Sequence, residues 1–246
     1  MNTQRIELLD YARGIALIAM TIFHFGFDLE LFGLREPGYI SQPHWKYFAR
    51  VIASSFLFLA GFSLYIAHAS EIKWSSWRIR MIKIVAAAIL MTVATFFATP
   101  DQYIFFGILH AIAFASVAGL LFFNLPWFLI MMIAIAVFTT RYYEGLEILN
   151  APLWFWTGLQ QTIPNSSDYV PVFPWFSAPL MGIAFAKLAM QSNWLVILSK
   201  PQLNDRLSKL VKFLGRNSLV YYLLHQPVMI GILLASLWLT GNLHFG

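Results

Sequence analysis

Four ionisable residues stand in an apolar run from which lipid would exclude them. They are Asp10, Arg13, His24 and Asp28, within Leu9-Asp10-Tyr11-Ala12-Arg13-Gly14-Ile15-Ala16-Leu17 and Phe23-His24-Phe25-Gly26-Phe27-Asp28. At a helical advance of about 100° per residue, Arg13 and His24 fall about 20° from one face and roughly 16 Å apart along the axis. Asp10 lies one turn before Arg13, and His24 and Asp28 are four apart, so each pair can touch. An imidazole beside a carboxylate can take a proton, with the carboxylate fixing its tautomer and stabilising the imidazolium. It can also act as a nucleophile and carry an acyl group itself. A plainer role is a buried polar cluster that fixes helix packing. Four such residues on one stripe favour chemistry, because ionisable groups inside a membrane span are costly and face a bundle interior or a wet cavity.

The element that must carry this stripe is a transmembrane helix. The chain has 246 residues, 59% hydrophobic and 11% charged, against about 25% charged in a soluble domain. The composition predicts an all-α, polytopic membrane helix bundle, read as one domain over residues 1–246. The first apolar run has no small-residue cleavage site after it and is read as a retained span rather than a signal peptide. The absence of cysteine removes thiol nucleophiles, thiolate metal sites and disulfides, and no metal is expected. The basic residues flank apolar spans, which excludes a nucleic-acid-binding surface.

The pattern predicts about seven crossings, at roughly 11–34, 47–68, 84–98, 103–123, 127–140, 174–198 and from Gly215 to Thr240. The stretch Ala151-Pro152-Leu153-Trp154-Phe155-Trp156-Thr157-Gly158 is too short to cross as a helix and reads as a short interfacial or re-entrant segment. Residues 71–83 and 200–216 read as two basic inner segments. Of the 16 basic residues, four (Arg35, Lys46, Arg50 and Arg141) fall outside and the other twelve at inner ends, which places the N-terminus in the cytoplasm. Small residues at Leu59-Ala60-Gly61 permit close helix contact. His44 lies near the outer interface, His110 near the outer end of the fourth span, and Asp168 and Trp175 where the sixth begins. His225-Gln226-Pro227 falls near mid-membrane, where Pro227 frees a backbone carbonyl.

Taken in order, Leu9-Asp10-Tyr11-Ala12-Arg13-Gly14-Ile15-Ala16, Phe58-Leu59-Ala60-Gly61, Gly107-Ile108-Leu109-His110, Val172-Phe173-Pro174-Trp175-Phe176 and Gly215-Arg216-Asn217-Ser218-Leu219 resemble the heparan-alpha-glucosaminide N-acetyltransferase catalytic-domain family, including its bacterial membrane members. The Arg13-to-His24 spacing is also similar to that of the membrane acyltransferases that O-acetylate bacterial polysaccharides. The resemblance implies transfer of an acetyl or other acyl group from cytoplasmic acyl-CoA to an amine or hydroxyl of an extracytoplasmic glycan or lipid-linked acceptor, in a bacterial inner membrane. It implies catalytic roles for His24, Asp28, Arg13 and Asp10, with His44 competing with His24. Arg13, Arg78, Arg80, Lys83 and Arg216 are then candidates for the phosphates of acetyl-CoA or another acyl-CoA. His110 and His225 are candidates for orientation or an oxyanion contact, and His44, Asp168 and Trp175 for the acceptor. Membrane lipids surround the bundle, and a second copy of the chain is a candidate partner. Intramembrane Asp and His also suit a proton relay, so a proton-coupled transporter or flippase is the alternative. A structural subunit of a membrane complex would instead tolerate substitution along the whole stripe.

Overall fold

A computed structural model describes residues 6–192, 194–198 and 205–240. Arg5 and Lys200, both counted among the inner basic residues, lie outside the described residues. The elements are helical throughout this part: α1 Glu7–Leu31, α2 Pro43–His68, α3 Trp74–Ala98, α4 Ile108–Ala118, α5 Trp127–Thr139, α6 Val172–Trp175, α7 Ser177–Gln191, α8 Trp194–Leu198, α9 Arg206–Arg216 and α10 Ser218–Leu239. Short 3-10 turns extend α4 to Phe122 and α5 to Tyr142. Residues 143–171 hold two further 3-10 turns among bends, in agreement with the irregular stretch expected there.

Among the described residues, five helices are long and apolar enough to cross a membrane: Glu7–Leu31, Pro43–His68, Trp74–Ala98, Val172–Gln191 and Ser218–Leu239. The expected fourth and fifth crossings are apolar helices of 10–17 residues, Ile108–Phe122 and Trp127–Tyr142, against about 20 for a full span. The protein is therefore an integral membrane helical protein, with five long apolar helices and two short ones among the described residues.

Three segments differ from the sequence expectation. The basic stretch before the third span is not a separate segment, because α3 begins at Trp74 rather than Ile84. Arg78, Arg80 and Lys83 lie in its first turns; nothing from Trp74 onward breaks a helix, and Arg and Lys are good helix formers. The sixth span ends at Gln191 rather than continuing to Leu198. The second basic segment is a helix from Arg206 onward, begun by Asp205, whose carboxylate accepts from the Ser208 N–H at 3.4 Å.

The described residues form two compact units, residues 53–192 with 194–198, and residues 6–52 with 205–240. In the first, Leu57, Leu64, Ile130, Leu180 and Ile183 are fully buried. The small residues near Gly61 do permit close contact: a Cβ there would lie 2.1 Å from the Pro179 carbonyl oxygen. Lys187, inside α7, sends its ammonium to the carbonyls of Phe123 and Leu125 at 2.8 and 2.6 Å, closing the C-terminal end of the α4 extension.

In the second unit α1 packs against α9 and α10. Contact between α1 and α9 is made backbone to backbone. A Cβ on Gly14 would lie 2.1 Å from the Val211 carbonyl oxygen, and one on Gly215 1.7 Å from that of Asp10. No larger residue fits either position without separating the helices. The carboxylate of Glu30 accepts from the N–H groups of Gly38 and Ile40, both at 2.7 Å, and ties the loop before α2 back to α1.

Candidate functional site

All four stripe residues lie on the single helix α1, and the second unit lines them with partners from α9 and α10. At one end Asp10, 2% exposed, uses both oxygens: Oδ1 accepts from Arg13 at 3.1 Å and Oδ2 from Arg216 Nε at 3.4 Å. Glu7, one turn earlier, accepts from Lys212 Nζ at 2.8 Å and lies 3.9 Å from Arg216. Among the described residues, three cations here face two carboxylates. Arg13 and Arg216 remain partly exposed, at 25% and 43% of their side chains, whereas Lys212 is buried at 7%. An anionic group reaching this end meets guanidinium groups already held in direction by Asp10. The expected pairing of Asp10 with Arg13 is present, and Arg216 joins them.

Midway, Thr21 donates its hydroxyl proton to the Leu17 carbonyl at 2.9 Å and lies 2.7 Å from the Tyr221 hydroxyl. Its single proton is committed, so Tyr221 donates to Thr21. The Tyr221 ring stacks on His225, centroids 6.1 Å apart and 8° from parallel.

At the other end the His24 and His225 rings meet edge to face at 5.0 Å. Asp28, with no exposed surface, accepts on Oδ1 from the Gln226 side-chain amide. No hydrogen bond joins Asp28 to His24 among the described residues, contrary to the i, i+4 expectation. The carboxylate is taken by a residue on α10 instead. His225 Nδ1 lies 2.6 Å from the Tyr222 carbonyl oxygen, which can only accept. Nδ1 therefore carries the proton, and the neutral ring presents Nε2 as a lone pair. A neutral His225 thus has no N–H left for an oxyanion, the contact considered from the sequence. His44 is exposed at the start of α2, its ring 5.6 Å from Trp45, which in turn packs against Phe23 beside His24.

His110, Asp168, Trp175, Arg78, Arg80 and Lys83 belong to the first unit. His110 is fully used in the local structure. Nδ1 accepts from the Gly107 N–H at 3.2 Å, and Nε2 lies 3.3 Å from Thr92, whose own proton goes to the Ile104 carbonyl. Asp168 accepts from the Ile108 N–H at 2.9 Å and caps the start of α4; a Cβ on Gly107 would collide with its carboxylate. The structure thus gives Asp168 a capping role. Trp175 lines an apolar crevice of about 10 Å³, near the lower limit for one water. Arg78 and Lys83 are exposed on α3.

Sequence reading missed Glu7, Thr21, Lys212, Tyr221 and Gln226 as members of the column. Glu7 and Tyr221 had a local signal, one turn from Asp10 and from His225 respectively. Lys212 and Gln226 had none, since their partners lie 205 and 198 positions away.

The catalytic profile of heparan-alpha-glucosaminide N-acetyltransferase matches residues 5–227. The chain belongs to that family. The match opens at the foot of α1 and ends just after His225-Gln226, so both ends of the buried column fall inside it. The family resemblance read from the ordered motifs is thereby established, and with it a membrane acetyltransferase class. No curated protein and no solved structure matches the chain.

Proposed function

We propose that the protein transfers an acetyl or other acyl group from acyl-CoA, approaching from the cytoplasmic face, to an amine or hydroxyl of an extracytoplasmic, sugar-containing acceptor. The observation that carries this reading is the column on α1. Its cationic end, with Arg13 and Arg216 directed by Asp10, suits the phosphates of coenzyme A. Its imidazole end, about 16 Å further along the helix, suits the thioester. Between them the narrow pantetheine arm would follow the polar stripe past Thr21 and Tyr221. At the far end an imidazole of the His24–His225 pair takes the acceptor's proton as it attacks the thioester carbonyl.

Purified protein in nanodiscs tests this directly. Wild type should bind acetyl-CoA and release free CoA when supplied with amino-sugar or polyol acceptors. His24→Ala should keep donor binding and lose turnover by about 10²-fold or more, whereas His44→Ala should keep most of it. The reverse ranking would move the chemistry to the head of α2. A folded protein that binds no acyl-CoA but carries protons with a substrate would replace this reading with transport.

A further inference from the structure

Where α1 meets α10, three buried polar atoms have no partner among the described residues: Asp28 Oδ2, Gln226 Oε1 and His225 Nε2. Asp28 has no exposed surface and His225 is 9% exposed. With Asp28 ionised, all three atoms accept hydrogen bonds and none donates. The Gln226 amide is oriented by its bond to Asp28, which leaves the carbonyl oxygen over. The His225 tautomer is set by the Tyr222 carbonyl, which leaves the lone pair over. A buried acceptor left without a donor loses its hydration and gains nothing in return. Three together at one helix junction mark a place that a donor-rich ligand completes.

We infer that this junction seats the acceptor substrate and that His225 Nε2 takes its proton. The group that binds is a hydroxyl or amine with a second O–H or N–H nearby, one for His225 and another for Asp28 and Gln226. This rests on the acyltransferase reading above. In the step, the acceptor's O–H or N–H proton passes to His225 Nε2. The new O–C or N–C bond forms at the thioester carbonyl, the C–S bond breaks, and the proton returns to the leaving CoA thiolate. His24, in ring contact with His225, is left to position the thioester. Among the described residues, the titratable groups in contact with His225 are His24 on α1 and Tyr221 and Tyr222 on its own helix, with Asp28 of α1 held by the adjacent Gln226. A fixed Nδ1–H on a backbone carbonyl prepares the opposite nitrogen as a base, as a carboxylate partner would.

The test compares His225→Gln and His24→Gln with wild type in nanodiscs, measuring acetyl-CoA affinity and the pH profile of kcat. Wild type kcat should fall on the acid side as the base is protonated. His225→Gln should bind acetyl-CoA within about 3-fold of wild type, lose about 10²–10⁴-fold in kcat, and lose the acid limb; His24→Gln should keep that limb at a lower rate. Free imidazole should restore part of the activity of His225→Ala. Near-normal kcat in His225→Gln, or an acid limb that disappears only in His24→Gln, overturns the assignment while leaving the acyltransferase reading intact. Absence of any CoA release by wild type would remove both. Asp28→Asn should raise the acceptor KM with little change in acetyl-CoA affinity, and an unchanged KM would take the acceptor away from this junction.

Discussion

At the scale of single residues, the same chemical type performs different work according to what saturates it. His110 and His225 both lie one turn from a backbone group they bind, yet His110 has both nitrogens engaged and His225 only one. Thr92→Val removes the acceptor for His110 Nε2 and the donor to the Ile104 carbonyl. It should cost about 1–2 kcal/mol of stability, seen as a lower Tm, with kcat unchanged; a loss of kcat at full stability would assign His110 to the chemistry. Arg13→Ala removes a partly exposed guanidinium held by Asp10. A charge-assisted hydrogen bond is worth about 1.5–3 kcal/mol, so acetyl-CoA affinity should fall by about 10–150-fold, and titration calorimetry showing an unaltered Kd would contradict the donor role. The stripe was legible in the sequence because helical periodicity alone aligns Asp10, Arg13, His24 and Asp28. The pairing of Asp28 was not, because spacing permits a contact with His24 without choosing it over Gln226, which arrives from another helix.

At the scale of elements, α9 shows what a charge-rich stretch conceals. Arg206, Lys209, Lys212 and Arg216 made the stretch read as a basic inner segment between spans. Ser208, Val211, Lys212 and Gly215 nevertheless fall on one face and are buried against α1, while Leu207, Leu210 and Phe213 stand exposed on another side of the helix. The small residues on the packed face were the available signal; helix-period counting on apolar residues alone passes over it. Because the Gly215 position faces the Asp10 carbonyl, Gly215→Ala requires α9 to move off α1. The cost should exceed the roughly 1–3 kcal/mol usual for overpacking. It should also weaken acetyl-CoA binding, since Arg216 moves with its helix; a variant of wild-type Tm and affinity would show that the helices do not pack this way. The third span illustrates the converse. Its apolar part was found, but its start was missed, since Arg and Lys continue a helix as readily as they flank one.

At the scale of the whole molecule, sidedness is the same whether or not the two short helices cross. They come as a consecutive pair, so both crossing or neither crossing leaves every later segment on the same side. The segment after α1 and the α9 helix should therefore face opposite sides, with α9 cytoplasmic by its basic residues. The absence of cysteine makes this simple to measure. Lys209→Cys should react with an impermeant maleimide only from the cytoplasmic side and Glu36→Cys only from outside, and labelling of both from one side would refute the arrangement.

The long span of chain between α1 and its partners also has a consequence for biosynthesis. Lys212 follows Glu7 by 205 positions and Arg216 follows Asp10 by 206. At about 5–20 residues per second, α1 waits roughly 10–40 s for the cations and the amide that complete it. Throughout that interval the nascent first helix must be sheltered by the insertion machinery or held at the bilayer surface. In chains stalled before α9, Ile15→Cys should crosslink to the insertion machinery, and release through α10 should abolish that crosslink.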